Sequence, residues 1–80
     1  MCLALPAEVV SINEEQATAM VALGPVKKEI SIALLENVVP GDFVLVHVGF
    51  ALHKVSPDEA ARTLALIKQA GEDPIEEFAT

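Results

Sequence analysis

This sequence of 80 residues contains no tryptophan or tyrosine, one cysteine and only five basic residues. Because it lacks both a basic patch and the aromatic side chains on which bases stack, nucleic-acid binding is not expected. A lone cysteine cannot form an internal disulfide, which is typical of a reducing cytoplasm. No apolar run approaches the length of a membrane span, and the start of the chain shows no signal-peptide pattern. These absences predict a soluble cytoplasmic domain.

The chain is rich in acidic and aliphatic residues. Twelve acidic residues give a formal net charge of −7, and four of them fall in the last nine residues. Residues 72–80 are therefore predicted to form an acidic, flexible tail, in which Ile75 and Phe78 are available to dock on a partner. The rest of the chain is long enough for one aliphatic core and too short for two.

Short β-branched segments separated by turn residues dominate the first two thirds of the chain. Pro40, Gly41 and Asp42 form a turn signal, and Gly49 is interpreted as a bulge or a corner. Five strands are predicted, at residues 9–12, 17–23, 28–34, 43–48 and 50–55. Alternation is clearest at residues 28–34, whereas residues 43–48 are apolar on both faces, which is typical of a central strand.

A helix is predicted over residues 57–70. Ser56 is its cap, Pro57 occupies the first helical position, Glu59 follows three residues after the cap, and Gly71 ends the helix. Five short strands followed by one helix predict a mainly β fold, a small OB-like β-barrel with one C-terminal α-helix, in a single domain of residues 1–71.

The one cysteine, Cys2, is the second residue of the chain. If Met1 is removed, Cys2 becomes the first residue and its α-amino group lies beside a nucleophilic, metal-binding thiol on mobile backbone. The apolar residues Leu3, Leu5 and Pro6 indicate that this terminus is held against a surface. The alternative is that a cysteine at this position has no function.

His47 has two possible roles. It is predicted to share one face of its strand with Phe43 and Leu45, either as a core-edge histidine that is hydrogen-bonded to backbone or as a neighbour of the N-terminus. In the second case it could orient or deprotonate the thiol of Cys2. His53 is expected to be solvent-exposed. These residues do not complete a four-ligand zinc site or a catalytic triad, so an independent enzyme is not expected.

Two motifs strongly resemble the HypC/HupF family of nickel–iron hydrogenase maturation chaperones. They are MCLALP at residues 1–6 and GDFVLVHVGFA at residues 41–51, and the resemblance extends to about residue 70. It implies a small OB-like chaperone that works with the iron–sulfur scaffold protein HypD, on which iron acquires cyanide and carbon monoxide. The family also binds the precursor of the hydrogenase large subunit and delivers this Fe(CN)2CO group to it.

The resemblance also implies roles for individual residues. Cys2 matches the family's iron ligand and partner contact, and His47 matches a histidine with a supporting role near that cysteine. The partner-binding residues expected beside Cys2 are Leu3, Leu5, Pro6, Gly49 and Phe50. Thiolate is a sensible ligand for soft, low-spin iron, and a carrier with few protein ligands can release its cargo. Ala7 departs from the family, which usually has glycine there.

The residues are also compatible with two other functions. A metal-free protein–protein adaptor barrel predicts that replacing Cys2 by serine has no effect. A small thiol redox protein predicts a lowered pKa for the thiol of Cys2, but such proteins commonly use a second cysteine that this chain lacks.

Overall fold

A computed structural model describes residues 4–79 of the chain. Its first five elements are strands: β1 Leu5–Asn13, β2 Thr18–Leu23, β3 Val26–Ser31, β4 Phe43–His47 and β5 Phe50–Val55. They form a closed barrel in the order β1-β2-β3-β5-β4. Every pairing is antiparallel except that of β3 with β5, which is parallel and rests on the single residue pair Ser31 and Phe50. The predicted mainly β, OB-like barrel is confirmed.

The barrel interior is built from small aliphatic side chains. Alternate residues of β1, β2 and β4 point inward, and Val9, Val21 and Val44 are almost completely buried. Full burial of one such side chain contributes about 1.5–3 kcal/mol. The aliphatic residues that suit strands therefore also supply the core of this small domain.

The first helix, α1 Pro57–Gln69, follows the predicted start and end signals. The side chain of Ser56 accepts a hydrogen bond from the backbone N–H of Glu59 at 3.1 Å. Gly71 adopts φ +88°, and the N–H of Glu72 reaches back to the carbonyl of Ile67 at 3.1 Å. This geometry satisfies carbonyl groups that the helix end leaves unpaired.

A second helix, α2 Pro74–Ala79, lies where a loose acidic tail was predicted. The carboxylate of Asp73 accepts hydrogen bonds from the backbone N–H groups of Ile75 and Glu76, which starts the helix. Phe78 is only 3% exposed, and the Lys28 ammonium lies 5.7 Å from the centre of its ring. The prediction that Phe78 is available to a partner is therefore wrong, because α2 packs it against β3.

The third strand is shorter than its apolar alternation predicted. β3 ends at Ser31, and the N–H of Ile32 donates one more bond in the same register, to the carbonyl of Ala17 at 2.9 Å, before the N–H of Leu35 turns back to the carbonyl of Ile32 at 3.0 Å. Leu34 is 63% exposed. Alternation alone overestimated the strand because the chain forms a turn at residues 32–35, closed by the Ile32–Leu35 hydrogen bond.

Within residues 4–79, neither helix has the length and apolar character required to cross a lipid bilayer.

Candidate functional site

β4 connects the two sequence motifs because it pairs with β1 on one side and with β5 on the other. Leu5 at the start of β1 lies opposite Val46, and His47 lies opposite Phe50 at the start of β5. The chain that precedes Leu5 therefore enters the barrel at the end of β4 that carries His47. Two segments about 40 residues apart in the sequence meet at this end of the barrel.

The N-terminal motif is described only from Ala4 onward. Cys2 and Leu3, the predicted iron ligand and its apolar neighbour, lie outside the described residues. Leu5 is 5% exposed and Pro6 is less than 2% exposed, so neither offers a surface to a partner in this structure. Their predicted role as direct contacts is replaced by another role: they fix the start of β1 in the barrel.

Burial on both faces explains why the start of β1 is so well fixed. Leu5 and Ala7 belong to the core cluster, whereas Pro6, on the opposite face of the strand, is buried as well. Ala7 pairs with Val44, so the residue that departs from the family is an ordinary strand residue packed in the barrel. α1 packs against β1.

His47 lies on the outer face of β4. Val44 and Val46 point into the core, whereas Phe43, Leu45 and His47 are half-buried on the other face, as predicted. The imidazole forms no hydrogen bond with any of residues 4–79. The described part of the structure thus gives no support to a core-edge histidine held by a backbone hydrogen bond.

His53 is exposed on β5 and lies opposite Leu45, two positions along β4 from His47. Its exposure agrees with the prediction. Within residues 4–79, no group of three or more histidine, cysteine, aspartate or glutamate side chains is arranged to hold a metal ion. A soft metal bound at this end of the barrel would therefore depend on ligands from outside the described residues, such as the Cys2 thiol or groups of a partner protein.

Val48 and Gly49 form a two-residue turn between β4 and β5. Their φ angles are +51° and +80°, and positive φ at both central residues is typical of the type I′ turns that favour two-residue hairpins. The interpretation of Gly49 as a bulge or corner is corrected by this geometry. The register shift of the hairpin lies instead between Leu45 and Val46.

An exposed apolar patch surrounds this turn, and sequence reasoning identified only part of it. Val48 is 73% exposed, Phe50 is 48% exposed and Leu52 is 39% exposed. Phe50 and Gly49 were predicted to be partner-binding residues, whereas Val48 was assigned to the strand. No local signal identifies Val48 as a turn residue, because valine disfavours positive φ; only Gly49, between two strand-forming runs, indicates a turn there.

The charge of the hairpin differs from that of the rest of the chain. Residues 43–55 contain no aspartate or glutamate, although the whole chain carries twelve acidic residues. The single lysine of the hairpin, Lys54, forms an ion pair with Asp42. The β4–β5 hairpin that carries the apolar patch therefore contributes no carboxylate of its own in an otherwise acidic protein, and such a patch is suited to contact with another macromolecule.

Comparison with known proteins agrees with this arrangement. The sequence profile of the HupF/HypC family matches residues 1–67, a range that includes all five strands and both motifs. The chain is 44% identical over 72 residues to hydrogenase maturation factor HypC of Azotobacter chroococcum, covering 90% of this chain and 84% of that protein.

Two further relatives have similar names. HypC of Cupriavidus necator is 48% identical over 69 residues, covering 86% of this chain and 76% of that protein. Hydrogenase maturation factor HybG of Escherichia coli K12 is 36% identical over 78 residues, covering 91% of this chain and 95% of that protein. With a family profile that spans the barrel and relatives that align over most of their length, the chain belongs to the HupF/HypC family.

Proposed function

We propose that this protein is a hydrogenase maturation chaperone that works with the scaffold protein HypD in assembling the Fe(CN)2CO group. It then delivers this iron group, as cargo, to the precursor of the hydrogenase large subunit. The observation that carries the proposal is the register of β1 and β4, which joins the N-terminal motif to His47 in a member of this family. The cytoplasmic location expected from the sequence remains a prediction.

Chain connectivity restricts where the proposed iron ligand can lie. Cys2 is three residues before Leu5, and each residue extends the chain by at most about 3.6 Å, so their Cα atoms are within about 11 Å of each other. Leu5 pairs with Val46, the residue before His47. Because the chain enters the barrel beside His47, we propose that the thiol of Cys2 acts at this end.

The proposed chemistry assigns different tasks to the two side chains. The Cys2 thiolate is the soft ligand for low-spin iron, and the imidazole of His47 accepts the thiol proton or orients the thiol by a hydrogen bond. An imidazole that makes no hydrogen bond with residues 4–79 retains its donor and acceptor for this task. With one protein ligand from this chain, the cargo can pass to a thiolate of the next protein by ligand exchange.

The hairpin supplies the proposed contact surface. Gly49 and Phe50 lie beside His47, and Phe50 exposes about half of its surface. A partner that covers this surface would exclude water around the iron ligand. In this proposal, HypD and the large-subunit precursor are the partners, and Cys2 and Leu3 approach them from the adjacent chain terminus.

The proposal is tested by infrared spectroscopy of the chaperone purified without oxygen after production with HypD and the other maturation proteins. Cyanide and carbonyl stretching bands should be present in the wild type and absent in Cys2→Ala, while both proteins show the same melting temperature. His53→Ala is the matched control, because its side chain is exposed on the same hairpin, and it should retain the bands.

Two results would contradict this proposal. If HypD binds but the bands are absent or indifferent to Cys2→Ala, the protein is a metal-free adaptor barrel and the iron belongs to its partner. If Cys2→Ala supports normal hydrogenase maturation, the cysteine has no role in delivery.

A further inference from the structure

Val48 has a backbone conformation that its residue type disfavours. Its φ of +51° lies in the left-handed region, where the β-branched side chain of valine crowds the backbone. Among residues 4–79, the other non-glycine residues with positive φ are Ala17, which is small, and Asn37, which tolerates this region well. Asparagine followed by glycine is the preferred sequence for a turn of this shape.

The barrel gains little from the side chain of Val48. It is 73% exposed, the highest value among the large apolar residues of the described chain. It is not among the buried core residues or the partly buried residues that pack against them. A strained backbone combined with an exposed apolar side chain indicates that this residue contributes to something other than the stability of the free barrel.

The surroundings of Val48 indicate the kind of surface that receives it. Phe50 and Leu52 continue the apolar patch, and residues 43–55 contain no carboxylate. In a chain of net charge −7, this hairpin therefore adds no negative charge of its own. An apolar pocket on a protein surface fits these properties, because a rigid, exposed side chain at the centre of a contact loses little conformational freedom on binding.

We infer that Val48 is the apolar anchor of the β4–β5 hairpin and enters an apolar pocket on the scaffold protein with which this chaperone works. The inference rests on the proposed function, because it takes HypD as that partner. The left-handed turn holds the side chain out from the barrel, so that strain in the free protein is compensated by contact in the complex.

Val48→Asn tests the inference because stability and binding are expected to change in opposite directions. Asparagine fits the turn, so the melting temperature of the free chaperone should rise, by up to about 5 °C. Loss of the apolar anchor should raise the Kd for purified HypD at least about tenfold. Calorimetric titration and thermal unfolding of the same preparations measure both effects.

Val39→Asn is the matched control, because it makes the same chemical change at another exposed valine. Val39 is 55% exposed and lies beside Ile12 and Pro40, at the opposite end of β4 from Val48. Its φ is not positive, so the substitution should leave the melting temperature unimproved and the Kd for HypD unchanged.

Three other results would overturn the inference, and they differ in what they imply for the proposed function. If the wild type, Val39→Asn and Val48→Asn all bind HypD with the same Kd, the inference is overturned and the proposed function stands. If Val48→Asn lowers the melting temperature, Val48 packs within its own chain, for instance against residues 1–3, and the inference is overturned. If the wild type itself fails to bind HypD, the proposed partnership fails and the inference falls with it.

Discussion

The ammonium group of Lys54 lies 3.3 Å from Oδ2 of Asp42 and donates a hydrogen bond to the carbonyl of Asn37 at 2.6 Å. The same Asp42 oxygen accepts the backbone N–H of Val39 at 3.0 Å. These contacts attach the loop between β3 and β4 to β5. They act near the end of β5, whereas the single residue pair of β3 and β5 lies at its start.

Lys54→Met should lower the melting temperature by no more than about 5 °C, because the pair is partly exposed to solvent. Lys27→Met is the control: the side chain of Lys27 is exposed and makes no hydrogen bond or ion pair with another described residue. Thermal unfolding at low and high salt measures the effect. It should be smaller at high salt, and equal effects of the two substitutions would show that the ion pair contributes nothing.

The same ion pair predicts a pH dependence. The hydrogen bond from Val39, together with Lys54, holds the pKa of the Asp42 carboxyl below its ordinary value, although partial burial opposes this shift. A lowered pKa in the folded state means that the stabilisation is present above the unfolded pKa and is lost as the pH falls through the folded pKa. The difference in melting temperature between wild type and Lys54→Met should therefore be full at pH 7 and shrink below about pH 4. A difference that grows on acidification would contradict this assignment.

Glu77→Gln should raise the melting temperature at pH 7. A hydrogen bond shared with the carboxyl of Glu72, and then burial, raise the pKa of Glu77 above its ordinary value. The folded state therefore favours the protonated carboxyl, so the stabilising contribution is present below the unfolded pKa and is lost as the pH rises through the folded pKa. Glutamine at position 77 removes the repulsion between the two carboxylates at neutral pH, and its amide can donate a hydrogen bond to Glu72. The advantage over wild type should vanish as the pH falls toward about 4. Glu36→Gln, in an exposed loop, is the control; a lower melting temperature for Glu77→Gln at pH 7 would refute the prediction.

Phe78→Ala should mainly reduce stability, whereas Phe50→Ala should mainly weaken binding to HypD. Phe78 is 3% exposed between α2, to which it belongs, and β3, whereas Phe50 is 48% exposed on the hairpin. Truncating the buried ring should reduce the free energy of unfolding by about 2–3 kcal/mol and speed hydrogen exchange in α2. Truncating the exposed ring should change stability little and weaken binding to HypD. Denaturant unfolding and calorimetric titration distinguish the two, and equal stability of both variants would show that α2 does not pack as described.

His47→Asn should leave the barrel folded and reduce the yield of the iron-loaded chaperone. The imidazole is on the outer face of β4 and makes no hydrogen bond with residues 4–79, so its loss should change the melting temperature by less than about 5 °C. The cyanide and carbonyl bands of the purified protein should weaken several-fold if the imidazole prepares the Cys2 thiol. His53→Asn should retain both the bands and the stability. Unchanged bands in His47→Asn would remove His47 from the proposed site.

Local signals in the sequence predicted most of the architecture. The Ser56 cap and Gly71 located α1, and the turn residues at 40–42 located the start of β4. These signals work because capping and turn geometry depend on interactions within a few residues. The two motifs, both within the range that the family profile matches, predicted the family, and the placement of His47 on the same strand face as Phe43 and Leu45 followed from simple alternation.

The sequence by itself therefore determined the order of the five strands and α1, the aliphatic core and the chemistry available at Cys2 and His47. Only the tertiary structure decided which motif residues are accessible: it buries Leu5 and Pro6, exposes Val48 and covers Phe78 with the barrel. The physical reason is that burial depends on residues far apart in the chain, such as Leu5 and Val46, whose pairing no local pattern records. The left-handed turn at Val48 is likewise imposed by the pairing of β4 with β5 and is contrary to the preference of valine itself.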